Sequence, residues 1–326
     1  MAGVLRDWER EAPWFEGPPT TLAFGGGTPS RADPRSLAAV VEAVRPSREV
    51  GMEANPEDVS RLSVRAWRDL GVSRLSLGVQ TFNPALAPAL GRAHSARQAL
   101  SALEAAMATD FRSVSVDLMF GQAGQTVEAL VADLDTAASA GVHHLSLYSL
   151  TVEPGTRFAV EARAGVDEDR WVELHDAAAL RLEELGFERY EVSNFARPGH
   201  RAEHNEHYWR ARHWAGLGPS GHGWRPNGER TANAENFDDW ASGSPPAVER
   251  PGGSALFFEL VWSTLRHIDG VNAPEVVRLT GFRVMAPDRL LNEGLLRWEG
   301  DHLRLSTRGF AISDAVVAAV VAWSCS

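Results

Sequence analysis

Six polar residues close short apolar runs ahead of residue 195. They are Thr28 after 21-TLAFGGG, Glu53 after 49-EVGM, Gln80 after 74-RLSLGV, Asp117 after 113-SVSV, and Glu191 and Asn194 within 187-FERYEVSNF. Carboxylates suit ribose hydroxyls and an ammonium, and an amide adds a donor and an acceptor. Three consecutive glycines cost backbone entropy, so Gly25 to Gly27 mark a place where something, such as a phosphate, comes close to the main chain. One polar residue at a strand end is more often a helix cap or turn former. Repetition at the same end of successive strands points instead to a shared ligand edge. A second group lies in 197–230, which holds five of the eleven histidines and three of the eleven tryptophans. Through His204, His207, His213 and His222 the imidazoles there could hold a zinc ion, although no regular helical pair with a third ligand is apparent, which weighs against it. All 32 basic residues are Arg and there is a single cysteine, Cys325. That composition excludes Schiff-base chemistry, a P-loop lysine, a disulfide framework and a thiolate metal cluster.

The elements that must position these residues alternate. Helical patterns such as 35-RSLAAVVEAVR, 95-SARQALSALEAAMA and 168-EDRWVELHDAAALRLEELG separate the apolar runs, and Gly71, Gly141 and Gly186 follow three helices as C-cap glycines. Alternation of this kind predicts βαβ units and a parallel sheet. Six units suggest a partial or complete barrel, with an open doubly wound sheet as the alternative. The division expected is 1–195 for this domain, 196–253 for the His/Trp-rich segment ending in the linker 243-GSPPAVERPGG, and 254–326 for a helical domain with a hairpin, winged-helix-like in order. Arg there is balanced by Asp and Glu, and the net charge of the chain is -11, so nucleic acid is not an expected partner. The first residues carry no signal-peptide pattern and no run of about 18 apolar residues occurs, which points to a soluble cytoplasmic protein.

Ten motifs in order give the chain a resemblance: 25-GGGTPS, 53-EANP, 75-LSLGVQTF, 90-LGRAHS, 117-DLMFGQAGQT, 145-LSLYSLTVEPGT, 190-YEVSNFARPG, 204-HNEHYW, 216-GLGPSGHG and 306-STRGF. The sequence resembles the HemW-type heme chaperones, relatives of the oxygen-independent coproporphyrinogen-III oxidases in the radical SAM superfamily. The resemblance implies a partial (β/α)6 barrel with a small C-terminal domain. It implies S-adenosylmethionine as a cofactor, held by Gly26, Gly27, Thr28, Glu53, Gln80, Arg92 and Asp117. It links 204-HNEHYW to heme, with His204 as the iron ligand, His207 as second choice, and Tyr208 and Trp209 against a porphyrin face. The reading that His204 and Asn205 simply brace a loop against the barrel stands beside this.

The family also binds a [4Fe–4S] cluster through Cys-x3-Cys-x2-Cys after its first strand. This sequence has neither the cysteine loop nor the strand before it, and it enters the family pattern in mid-helix at 5-LRDWEREAPWFEG. Either the recorded start lies too far downstream, or the chain is a natural relative without a cluster. The turn 121-GQAGQT has Ala123 where the family has proline, which loosens it. A barrel without its first strand would expose the edge of 21-TLAFGG and favour aggregation. The expected function is that of a heme chaperone that receives heme and passes it to an acceptor protein, with transient membrane-protein contact possible, and that does not cleave S-adenosylmethionine as the chain stands. The alternatives are a coproporphyrinogen-oxidase-like oxidoreductase whose cluster segment is missing, and a degenerate module with no ligand.

Overall fold

The computed structural model describes residues 1–91, 94–152 and 165–325. Two compact units emerge: Thr21–Val41 with Arg48–Arg201, and Met1–Thr20 with Glu42–Ser47 and Ala202–Ser326. The first is the sheet unit. Strands β1 (Thr21–Phe24), β2 (Glu49–Ala54), β3 (Arg74–Gln80), β4 (Ser113–Phe120) and β5 (His144–Ser149) pair in parallel, in sequence order. No strand order reverses, as it would in a doubly wound sheet, so the winding is the barrel type. The sixth run does not continue it. It splits into β6 (Glu188–Arg189) and β7 (Asn194–Ala196), and β7 pairs antiparallel with β5. The sheet therefore has five parallel strands, and β1 is its terminal strand among the described residues.

The strands are not uniformly apolar. Leu75, Leu77, Val114, Val116, Leu118 and Leu145 are wholly or almost wholly buried. Residues of opposite parity are polar: Glu49, Arg74, Ser76, Ser113, Ser115, Asp117, His144 and Ser146. Period-2 alternation puts these two sets on opposite faces. The apolar set takes the helices, which contribute buried Leu103, Leu130, Leu134, Leu174 and Leu182. The polar face is internally bonded: Arg74 pairs with Glu49 at 2.8 Å, Ser115 with His144 at 2.7 Å, and His144 with Tyr190 at 2.8 Å. Helix starts follow local chemistry. Ser60 and Ser95 form capping boxes, Thr126 and Asp167 cap their helices, and Gly71, Gly141 and Gly186 follow helix ends at φ +96°, +87° and +79°.

The second unit departs from the three-part division read from sequence. Helix α1 (Ala2–Glu11) belongs with 202–326 because its acids find their donors there. Asp7, 1% exposed, accepts from Gly218 N at 2.9 Å, Asn233 Nδ2 at 3.2 Å and Trp240 Nε1 at 2.8 Å, and pairs with Arg10. Glu11 takes a two-pronged bond from Arg225, at 2.7 and 2.9 Å. The stretch expected to be a linker contains a strand, Ala247–Glu249, that pairs with Arg230–Ala232 in a three-stranded antiparallel sheet. Beyond it, helix Gly253–Thr264 leads into a second such sheet, Val271–Asn272, His302–Leu305 and Leu296–Glu299, with helices Ala273–Thr280 and Ser313–Ser324. The hairpin turns at Gly300, φ +57°. No described helix is long and apolar enough to cross a membrane.

Candidate functional site

In the sheet unit, the C-terminal ends of β1 to β4 surround a cavity of about 210 Å³ lined by Gly27, Thr28, Pro29, Ser30, Glu53, Ala54, Asn55, Gly78, Gln80 and Asp117. Five of the seven residues expected to hold a cofactor line it. Gly26 is a sixth participant, since its N–H donates to Glu53. Arg92 lies outside the described residues. Gly26 and Gly27 sit at φ +71° and +66°, and a Cβ on either would meet no protein atom within 4 Å. Backbone conformation, then, is what calls for glycine there. Gly25 is different: a Cβ would lie 3.1 Å from Glu53 Oε1, so any side chain would press on that carboxylate.

Glu53 and Asp117 interact unfavourably as like charges. Enclosure by protein, and secondly Asp117, hold the Glu53 carboxyl above its ordinary range, while the Gly26 N–H opposes this. Glu53 remains open to the cavity, so part of the effect is screened by water. Ser76 Oγ donates to Asp117 Oδ1 at 2.9 Å and fixes it. The charge of Asp117 extends to Tyr148, whose phenol is pushed above its usual value by burial of the hydroxyl and then by Asp117.

Gln80 carries a signal that sequence reading missed. It is 7% exposed and its backbone lies in the left-handed region, at φ +70°. Such a conformation is costly for a residue with a Cβ. What enforces it lies just beyond: buried Asp133 accepts from Thr81 Oγ1 at 2.6 Å and from Phe82 N at 2.9 Å. Asp133 comes from the helix Val127–Ser139, and nothing in its local sequence marks it as a loop anchor. Asn55 on the cavity wall was equally illegible.

The second expected site lies in the other unit, on helix Glu203–Trp209. His204 Nε2 pairs with Tyr208 Oη at 2.8 Å, one helical turn on. An edge-to-face series continues from it: Tyr208 to Trp214 at 4.9 Å between ring centres, Trp214 to Trp224 at 5.7 Å, and the Arg230 guanidinium 3.6 Å over Trp224. His207 Nε2 pairs with Thr20 Oγ1 at 2.9 Å, and burial lowers its pKa, which keeps the ring neutral and its lone pair usable. No group of three or more His, Cys, Asp or Glu that could hold a metal ion occurs among the described residues. The four clustered histidines are therefore not assembled for zinc.

The radical SAM superfamily profile matches residues 4–137. The heme chaperone HemW of Mycobacterium tuberculosis H37Rv is 36% identical over 313 residues, spanning 91% of this chain and 79% of that protein. The chain belongs to the HemW family of radical SAM proteins. HemW of Escherichia coli K12 is 29% identical over 94% of this chain and 85% of its own length. The mouse mitochondrial radical S-adenosyl methionine domain-containing protein 1 is 35% identical over 91% of this chain and 74% of its own. The solved structure of the coproporphyrinogen III oxidase HemN of E. coli, a radical SAM enzyme, superposes with a TM-score of 0.81 over 99% of this chain and 82% of that one, at 16% identity. At that identity the likeness speaks to the fold, and the fold agrees with the partial barrel expected from sequence.

Membership implies S-adenosylmethionine and a [4Fe–4S] cluster. The two fare differently against the residues present. The cavity, with two carboxylates, two amides and glycine N–H groups, fits the charged end of S-adenosylmethionine. The cluster does not fit, because it requires several thiolates. The one sulfhydryl, Cys325, is exposed at the end of the last helix.

Proposed function

We propose that this chain is a heme chaperone that binds heme on the unit containing 202–326 and hands it to an acceptor protein. One observation carries the reading: the 36% identity to the M. tuberculosis heme chaperone runs over 91% of the chain, well past the 4–137 that the superfamily profile matches. His204 is the iron ligand in this proposal, with His207 as its reserve. For Nε2 of His204 to reach iron, the Tyr208 hydroxyl has to release it. Tyr208 and Trp214 then offer ring surface to the porphyrin. Transfer to the acceptor reverses these steps, and the Tyr208 hydroxyl is the internal partner that His204 regains. A cytoplasmic location and transient contact with a membrane-bound acceptor are part of the same proposal.

The cavity of the sheet unit is assigned in this reading to S-adenosylmethionine, through Gly26, Gly27, Thr28, Glu53, Gln80, Arg92 and Asp117. A cluster, when present in the family, supplies the electron for reductive cleavage. Among the 326 residues there is one cysteine, too few to supply its thiolate ligands. Hemin titrated into the purified protein should give a shifted Soret band at about one equivalent. His204→Ala should weaken binding at least tenfold, a loss of about 1.4 kcal/mol or more. Absence of a Soret shift in the wild type would sink the proposal.

A further inference from the structure

Heme brings a charged edge to any site that takes it. The porphyrin carries two propionate side chains, both ionised at neutral pH, and the chain it meets has a net charge of -11. An acidic protein needs a local cation to accept such an edge. We propose that Arg212 is that cation: its guanidinium takes a propionate carboxylate of the porphyrin, so that iron porphyrins with free carboxylates are selected over their esters. Arg212 in this role presupposes the heme reading above and supplies a contact which that reading leaves unassigned.

Three observations support it. First, Arg212 is uncommitted. It is exposed, and its side chain has no hydrogen bond or ion pair among the described residues. In the unit containing 202–326, Arg283 alone shares that state among the described residues. The cations nearest in sequence are taken. Arg210 pairs with Glu206 at 3.1 Å and Asp269 at 2.9 Å, Arg225 with Glu11 at 2.7 Å, and Arg230 with Glu259. An arginine already holding carboxylates has fewer donors to offer a ligand. Second, the backbone fixes its position. The helix Glu203–Trp209 ends in a Schellman turn: Ala211 N donates to Tyr208 O at 3.0 Å, and Arg212 N to His207 O at 2.9 Å. The left-handed residue of the turn is Ala211, at φ +50°, where glycine is the usual choice. Arg212 is thereby held at the helix end that carries His207 and Tyr208. Tyr208 is 37% exposed there and supplies ring surface for the porphyrin plane. Third, its charge reaches a candidate iron ligand. Burial first, and the Arg212 charge next, hold the His207 pKa below its ordinary value, with His213 adding to this and Glu203 and Glu206 opposing. The cation that disfavours imidazolium at His207 favours a carboxylate beside it.

The test titrates hemin and hemin dimethyl ester, in the same dilute detergent, into the full 326-residue protein and follows the Soret band. Hemin should bind about fivefold tighter than the ester, the upper range for one exposed ion pair. Arg212→Gln should weaken hemin by about that factor and leave the ester unchanged. Its melting temperature should match the wild type, because the side chain holds nothing in the fold. Arg283→Gln removes the same charge from the other uncommitted arginine and should leave both ligands unchanged. An equal loss in Arg283→Gln would mean that net charge rather than a contact is at work, and overturns the inference. Equal affinity of the wild type for hemin and its ester overturns it too, as does an Arg212→Gln variant that weakens both alike. In each of those cases hemin still shifts the Soret band and the chaperone reading stands. No Soret shift with hemin overturns both.

Discussion

Glu191 shows how one residue can be misjudged from its position. It closes an apolar run as Glu53 and Asp117 do, but it does not line the cavity. It is fully buried, accepts from Ser193 N at 3.1 Å, and has one carboxylate oxygen, Oε1, with no hydrogen-bond partner. Burial pushes its pKa up to about 7, against the opposing pull of Ser193, Asn194 and Arg189. The sign for stability follows. Between the ordinary carboxylate pKa and 7 the folded chain keeps a proton that the unfolded chain has released, so stability falls as pH rises through that window. The loss is on the order of 3 kcal/mol, with most of it complete by pH 7. Glu191→Gln, which cannot ionise, should flatten the dependence: melting temperatures at pH 5 and pH 8 should lie closer together than in the wild type. A pH profile identical to the wild type would refute the assignment. The residues that do line the cavity differ from Glu191 in being aimed at open space, a property of backbone direction that residue type does not encode.

At the scale of elements, helix α1 is held by polar rather than apolar contacts. Its buried residues include Asp7 and Glu11, an unusual choice for a packed face. Asp7 alone accepts from a backbone N–H, an amide and an indole, in addition to its pairing with Arg10. Truncating it takes the acceptor from the Gly218 N–H and the Trp240 indole N–H, while Asn233 Nδ2 keeps the carbonyls of Gly216 and Gly218; stranding the first two costs more than the bonds contribute. Asp7→Ala should therefore destabilise the unit containing 202–326 by roughly 3 kcal/mol. Chemical denaturation followed by tryptophan fluorescence measures this, since Trp240 is one of the partners; a change below about 0.5 kcal/mol, the scale of an ordinary surface site, would contradict the account. The strands behave in the opposite way. Their apolar face was legible as a hydrophobic run, whereas their polar face stood in the same runs without being read as a face.

At the scale of the whole molecule, the two units are woven from alternating pieces of chain. The backbone passes from one to the other after residues 20, 41, 47 and 201. A fragment of 202–326 contains the His204 helix and the aromatic series but lacks Asp7 and Glu11. Expressed alone, it should show no cooperative thermal transition by circular dichroism, and adding a 1–20 peptide should restore part of it. A cooperatively folded 202–326 would show that the acids of α1 are dispensable. The acidic net charge of -11 opposes nucleic-acid binding at this scale, as composition alone indicated.

Sequence by itself determined the alternation of strand and helix, the glycines that close three helices, and the polar edge at the ends of β1 to β4, while the choice between barrel and doubly wound sheet came from the observed strand order. Each of the first three is written in local chemistry: a period, a glycine at a positive φ, a polar residue closing an apolar run. It also determined the family, because ten motifs in order leave little room for another. Only the tertiary structure decided that Gly27, Thr28, Glu53, Gln80 and Asp117 share one cavity and that Glu191 does not. It also decided that Gln80 is strained through Asp133, that β7 turns back against β5, and that α1 joins the distant unit. The physical reason is the same in each case. Burial, strain and ion pairing arise between residues tens to hundreds of positions apart, such as Asp7 and Trp240, and no local pattern records which partner a buried charge will find.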